Sequence, residues 1–286
     1  LKSRFMPTET AVQTAPMHLP LPAFARVAVE HRLLIWRLAI RAVQERHRGS
    51  LLGIAWTVLG PMLLLGAYTL VFGVVLGARY GVGDDGSPLG YALWLFAGVI
   101  LFQFFSACVT EAPSQLRKHK ALVTRVIFPL ECLAYVRVLQ ALIEMLPALG
   151  LLLVFHLMLR GVPPATAILL PLAVVPLALL ALAAVWMLSS LGAFLRDLAP
   201  LVGTLTLALM FLSAVFYPLE ALPDAARLAI GYNPIARAIE SARWMLFGHG
   251  EAGVALLAGS TAASFVLCSL AHAWFIRTKG SVADVL

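Results

Sequence analysis

From Leu51 to Ala78 the chain contains no Asp, Glu, Lys or Arg. A helix rises 1.5 Å per residue, so roughly 20 residues cross the hydrocarbon core of a bilayer, and an uncharged run of this length reads as a membrane span. Just upstream, Arg46-His47-Arg48-Gly49-Ser50 marks the change from a basic, half-polar segment to uninterrupted hydrocarbon. That boundary excludes a water-soluble globular fold. Composition agrees, with 61% hydrophobic and 12% charged residues where soluble domains carry roughly 25% charged.

Hydropathy places five further spans at Tyr91–Thr110, Cys132–Leu159, about 165–191, Leu198 to Tyr217, and about 252–276. The fifth is the shortest and stops at the breaker Tyr217-Pro218. The expected fold is an all-α integral membrane protein of six transmembrane helices. Residues 1–23, with Pro7, Pro16, Pro20 and Pro22, read as a disordered tail. Residues 24–50 read as an amphipathic interfacial helix: Val27, Leu34, Leu38 and Ile35 or Ala42 recur at helical spacing among Arg26, Arg32, Arg37 and Arg41, with Trp36 as an interfacial anchor. A helix packed on a soluble partner would carry the same pattern. Residues 51–276 form the six-span domain and 277–286 a C-terminal tail. No short apolar core with a small-residue cleavage site precedes the first span, so no cleavable signal peptide is expected.

Orientation follows from the connecting segments. One face carries fifteen Lys and Arg, the other five, and Arg137 lies within a span. Basic loops stay on the cytoplasmic side, which places both termini there. The net charge of +7 is therefore explained by topology, without a nucleic-acid partner.

The connections differ in character. Glu111–Glu131 contains Arg117-Lys118-His119-Lys120 followed by Ile127-Phe128-Pro129. This is either a solvated positive loop or a segment that docks into a groove on a soluble subunit. On the outer side, 218–251 is long, and Asn233-Pro234 reads as an N-cap followed by proline at the first helical position. Ile235, Ile239, Ala242 and Leu246 mark an apolar face opposite Arg237, Glu240 and Arg243. This predicts a helical outer re-entrant segment between spans five and six. Cys108, Cys132 and Cys268 lack metal-site or CxxC spacing and read as packed thiols. Asp84-Asp85 in the Gly-rich stretch 81–90 reads as turn chemistry rather than catalysis.

The run Arg48-Gly49-Ser50-Leu51-Leu52-Gly53 leading to Trp56 and Pro61, then Phe128-Pro129-Leu130-Glu131, Arg196-Asp197, and Phe216-Tyr217-Pro218 leading to Asn233-Pro234 resembles, in that order, the membrane subunits of ABC exporters for O-antigen, teichoic acid and capsular polysaccharide. The resemblance covers about 24–276. It implies a permease of a bacterial cytoplasmic (inner) membrane that moves an undecaprenyl-linked glycan, with two copies of the chain enclosing the path as a homodimer. Two cytoplasmic ATP-binding subunits would bind ATP and Mg. The chain itself would be no enzyme: none of Lys2, Lys118, Lys120 and Lys279 follows a Gly-x-x-x-x-Gly pattern able to cradle phosphates. The nearest rival is an ABC efflux permease for drugs or small lipids.

By the same resemblance, Gln115–Val123 with Arg117, Lys118, His119 and Lys120 would be a coupling helix entering the ATPase, and Arg196-Asp197 a second contact. The latter pair also reads as a helix-end ion pair. Arg137, Gln140 and Glu144 fall at i, i+3 and i+7, hence on one face of the third span. At that depth a charge costs about 2.5–3.5 kcal/mol, so the stripe faces protein, water or the pore. Tyr68, Phe72, Phe102, Phe104, Phe105, Phe211, Phe216 and Tyr217 are candidates for an aromatic path on which sugar C–H faces slide, or are ordinary interfacial aromatics. Arg46 and Arg48 at the rim are candidate partners of an anionic lipid headgroup.

Overall fold

The computed structural model describes residues 22–48, 53–75, 88–120, 128–248 and 254–285. Most of the expected tail, Asp84-Asp85, residues 121–123 of the coupling segment and the ends of the first span lie outside them. The described residues contain helix and turn but no strand. In chain order the helices are α1 Ala23–Glu30, α2 Arg32–His47, α3 Trp56–Tyr68, α4 Pro88–Lys118, α5 Cys132–Arg160, α6 Leu170–Phe194, α7 Leu198–Phe211, α8 Asp224–Gly231, α9 Pro234–Phe247 and α10 Val254–Val285. A π-helical stretch, Thr69–Val75, continues α3.

Among the described residues, four helical segments are long and apolar enough to cross a membrane: Leu89–Lys118, Cys132–Arg160, Ala165–Phe194 and Leu257–Val282. Trp56–Phe72 and Leu198–Phe211 are shorter apolar helices. The α4 helix is the centre of the bundle, packing against α6, α5, α7 and α9, while α10 lies along α6. At one point α4 and α6 meet backbone to backbone. Gly192 of α6 sits against Pro113 of α4, where an added Cβ would lie 2.2 Å from the proline carbonyl oxygen. A residue without a side chain allows that contact.

Several boundaries differ from those read in the sequence. The α4 helix runs past Thr110 to Lys118, because Ala112, Gln115 and Leu116 are buried. The α10 helix continues through the expected tail to Val285, carrying Val282 into the core and Lys279 to within 3.5 Å of Glu131. Residues 24–45 are two helices: the chain bends at His31, and Phe24 is fixed where the Tyr135 hydroxyl donates to its carbonyl. Nor does lipid receive the whole apolar edge of α2. Ile35 and Ala39 pack against Cys132 and Val136, so α2 runs beside the first turns of α5.

The contacts sort the molecule into two ends. At one end lie Pro113 against Gly192, Lys279 against Glu131, and the neighbouring Arg117, Lys118 and Arg196. At the other, Tyr91 donates to the Phe216 carbonyl at 2.6 Å, Thr166 to that of Met245 at 2.9 Å, and Arg160 lies over the Phe247 ring.

Candidate functional site

The polar residues of α5 form one connected line. Arg137 donates to Gln140 Oε1 at 3.1 Å, and Gln140 donates to Glu144 Oε1 at 3.0 Å. Glu144 Oε2 then accepts from Arg46 at 2.6 Å, which ties the end of α2 to the middle of α5. In the other direction Arg137 donates to the Ala107 carbonyl and lies 3.4 Å from Glu111, whose second oxygen is 3.9 Å from Lys118. Spacing alone put three residues on one face; folding adds the cation Arg46 at the Glu144 end and the anion Glu111 at the Arg137 end. Each charge has an opposite neighbour, which is what makes Arg137, 4% exposed, tolerable inside a span.

Beside this line is a cavity of about 320 Å³. Arg46 of α2, Pro61 of α3, Gln103, Phe104 and Ser106 of α4, and Glu144 of α5 are among its walls. It therefore unites a residue expected at the headgroup rim with one expected in the stripe. Gln103 and Ser106 escaped the sequence reading, although a Gln in the middle of a charge-free span was a signal. Arg48, at the end of α2, is exposed and does not line the cavity.

The aromatic candidates divide. Tyr68 and Phe72 meet Phe216 with ring centroids at 6.3 and 5.8 Å, and Phe211 meets Phe216 at 5.3 Å. Tyr91 and Trp94 extend the group. Phe102, Phe104 and Phe105 are instead buried within the chain, Phe104 reaching the cavity wall. The Tyr217 hydroxyl donates to the Phe211 carbonyl.

This aromatic group rests on a break the sequence misplaced. The α7 helix ends at Phe211, not Tyr217, and Ala214 adopts a left-handed φ of 52°. Arg243 holds the break, donating to the carbonyls of Ala214 at 2.8 Å, Val215 at 2.7 Å and Trp94 at 3.2 Å while lying over the Trp94 ring. It is 1% exposed, so its assignment to the polar side of α9 is corrected: freed carbonyls draw the cation inward. Glu240 pairs with it at 2.7 Å; burial raises the Glu240 pKa and the guanidinium partly restores it. Asn233 caps α9 as read, accepting from Ile235 N at 2.9 Å, and also donates to the Leu212 carbonyl.

At the opposite end the expected coupling residues are unequal. Gln115 is buried and donates to the Leu133 carbonyl at 2.7 Å, joining α4 to α5. Arg117 is half-buried, while Lys118, His119 and Lys120 are exposed. Arg196 and Asp197 are exposed between α6 and α7, near the same end because Gly192 abuts Pro113. Among the described residues no group of three or more His, Cys, Asp or Glu could hold a metal ion.

Residues 33–247, from α2 to the end of α9, match the family of ABC-2 type transporters. The chain belongs to the ABC-2 type transporter family. The match takes in the polar line, the cavity and the aromatic group, and it makes the apolar helices those of a multi-pass membrane protein. This ABC-2 type chain is 28% identical over 261 residues to the O-antigen export system permease protein RfbA of Myxococcus xanthus, covering 91% of the chain and 97% of that relative. Two relatives of the same name from Klebsiella pneumoniae are each 22% identical over 246 residues, covering 85% of the chain and 91% of each relative.

Proposed function

We propose that this chain is the permease subunit of an ATP-driven exporter that carries a lipid-linked polysaccharide, of O-antigen, capsule or teichoic-acid type, across a bacterial inner membrane. Near-complete coverage of relatives named as O-antigen export permeases carries this reading, and favours a glycan over drugs or small lipids. Two copies of the chain enclose the path, and two ATP-binding subunits on the cytoplasmic side use ATP and Mg. In this reading the shorter helices Trp56–Phe72 and Leu198–Phe211 also cross, giving six spans and leaving both termini in the cytoplasm. The basic end bearing Arg117, Lys118, His119, Lys120, Arg196 and Asp197 meets the ATPase, with Gln115 securing the helix that presents it.

At the rim, Arg46 and Arg48 attract the anionic head of the carrier lipid, since juxtamembrane cations gather such groups. The polar line of Arg137, Gln140 and Glu144 connects that entry to the ATPase end. Tyr68, Phe72, Phe211, Phe216 and Tyr217 offer faces over which sugars pass near the outer break, while α9 closes over it. The test is reconstitution of the chain with its ATP-binding subunit in proteoliposomes. Polyprenyl-linked glycan should stimulate ATP hydrolysis and cross in an ATP-dependent way. Stimulation by hydrophobic drugs but not by glycan would refute the reading.

A further inference from the structure

From Gly90 to Phe105 every residue of α4 is buried except Gln103. It lies at the midpoint of a helix running from Pro88 to Lys118, on the wall of the cavity. Its carboxamide can donate two hydrogen bonds and accept as well, yet it makes none among the described residues. The Ser106 hydroxyl, on the same wall, is also without a partner among them. Unmet polar groups at membrane depth are costly, so this wall is built for something polar to enter. Across from it, α5 presents Glu144 between Ala141 and Ala148, whose short side chains leave the space open. Arg46 gives Glu144 one of its five N–H donors and is half-exposed, so it retains donors for an anion.

We infer that this cavity is a sugar-reading subsite, in which Gln103, with Ser106 and Glu144, hydrogen-bonds the hydroxyls of the sugar next to an anionic head held by Arg46. The inference rests on the export reading and deepens it. Amide, hydroxyl and carboxylate supply the mixed donors and acceptors that a sugar presents, and Phe104 supplies an apolar face for its C–H side. At about 320 Å³ the space lies at the small end of ligand pockets and suits one sugar rather than a polymer. The chemistry is that of a hydroxylated anionic headgroup, which a carrier-linked glycan or an ordinary bilayer lipid could supply.

The experiment measures binding to the purified permease–ATPase complex in nanodiscs with three probes. These are undecaprenyl pyrophosphate bearing one N-acetylglucosamine, the same lipid without sugar, and phosphatidylglycerol. The unaltered complex should bind the sugar-bearing lipid about tenfold more tightly than the sugar-free one, as two hydrogen bonds allow. Gln103→Leu should abolish that preference and leave the sugar-free affinity in place; Ser106→Ala, a smaller change with less risk to folding, should reduce it about threefold. Equal loss for all three probes, or loss confined to phosphatidylglycerol, would overturn the assignment, as would an intact preference in Gln103→Leu. Failure of the unaltered complex to bind either carrier lipid would overturn the export reading together with it, whereas binding without preference would overturn the subsite alone.

Discussion

Replacing Gly192 with Ala puts a methyl group where α4 and α6 touch. The new Cβ would lie 2.2 Å from the Pro113 carbonyl oxygen, 2.5 Å from its Cα and 2.7 Å from its carbonyl carbon. All three are backbone atoms, so no rotamer change relieves them. Ordinary contact begins at 3.4 Å, and the helices must part there by about 1.2 Å (3.4 − 2.2). Overpacking of this kind costs about 1–3 kcal/mol; the better helix propensity of Ala returns up to about 1 kcal/mol. A net loss of about 1–2 kcal/mol lowers the folded-to-unfolded ratio about 5- to 30-fold. Gly150→Ala is the control, since a Cβ in that part of α5 meets nothing within 4 Å and should be neutral or slightly stabilising. Folded fraction against SDS mole fraction, read for both variants in one detergent, measures the difference. Because Gly192 and Pro113 each sit one turn from Arg196 and Arg117, Gly192→Ala should also lower the ratio of glycan exported to ATP hydrolysed. Equal stability of the two variants would refute the packing argument.

Arg243→Met should destabilise by about 3–5 kcal/mol, since it strands Glu240 beside carbonyls that have lost their donor; the same denaturation assay checks it, and unchanged stability contradicts it. Glu144→Gln and Arg46→Gln should show a coupling of about 1–2 kcal/mol in a double-mutant cycle, between the weak exposed-pair value and the stronger buried one because Arg46 is half-exposed. Arg137→Gln should impair export while folded protein persists, as judged by transport per mole of purified complex; loss of the protein itself would make the polar line structural only. Reversal of Arg117 and Lys118 to Glu should leave ATP hydrolysis no longer driving export in proteoliposomes, and unchanged coupling would remove that end from the ATPase contact.

The apolar helices were legible because hydropathy reports what a helix can dissolve in. So was the Asn233-Pro234 start of α9, a local device completed within two residues. The stripe was visible as far as one helix carries it, through Arg137, Gln140 and Glu144. Its extensions to Arg46 and Glu111 were not, since spacing within α5 says nothing about what α2 and α4 bring alongside. Arg243 misled for a related reason: a helical wheel assigns it to the polar side, but its partners are carbonyls freed by a chain break 28 and 29 residues earlier. The resemblance places Gln115 at the start of a coupling helix but says nothing of its acceptor, the Leu133 carbonyl of α5. In each case the missing knowledge was a partner distant in sequence.

Deletion of this chain in a cell that makes the polysaccharide, with lipid-linked glycan inside and glycan at the surface measured together, tests the export proposal most directly. Glycan should accumulate on its carrier inside and disappear from the surface, and the intact gene should restore both. Unchanged glycan in both places would contradict it.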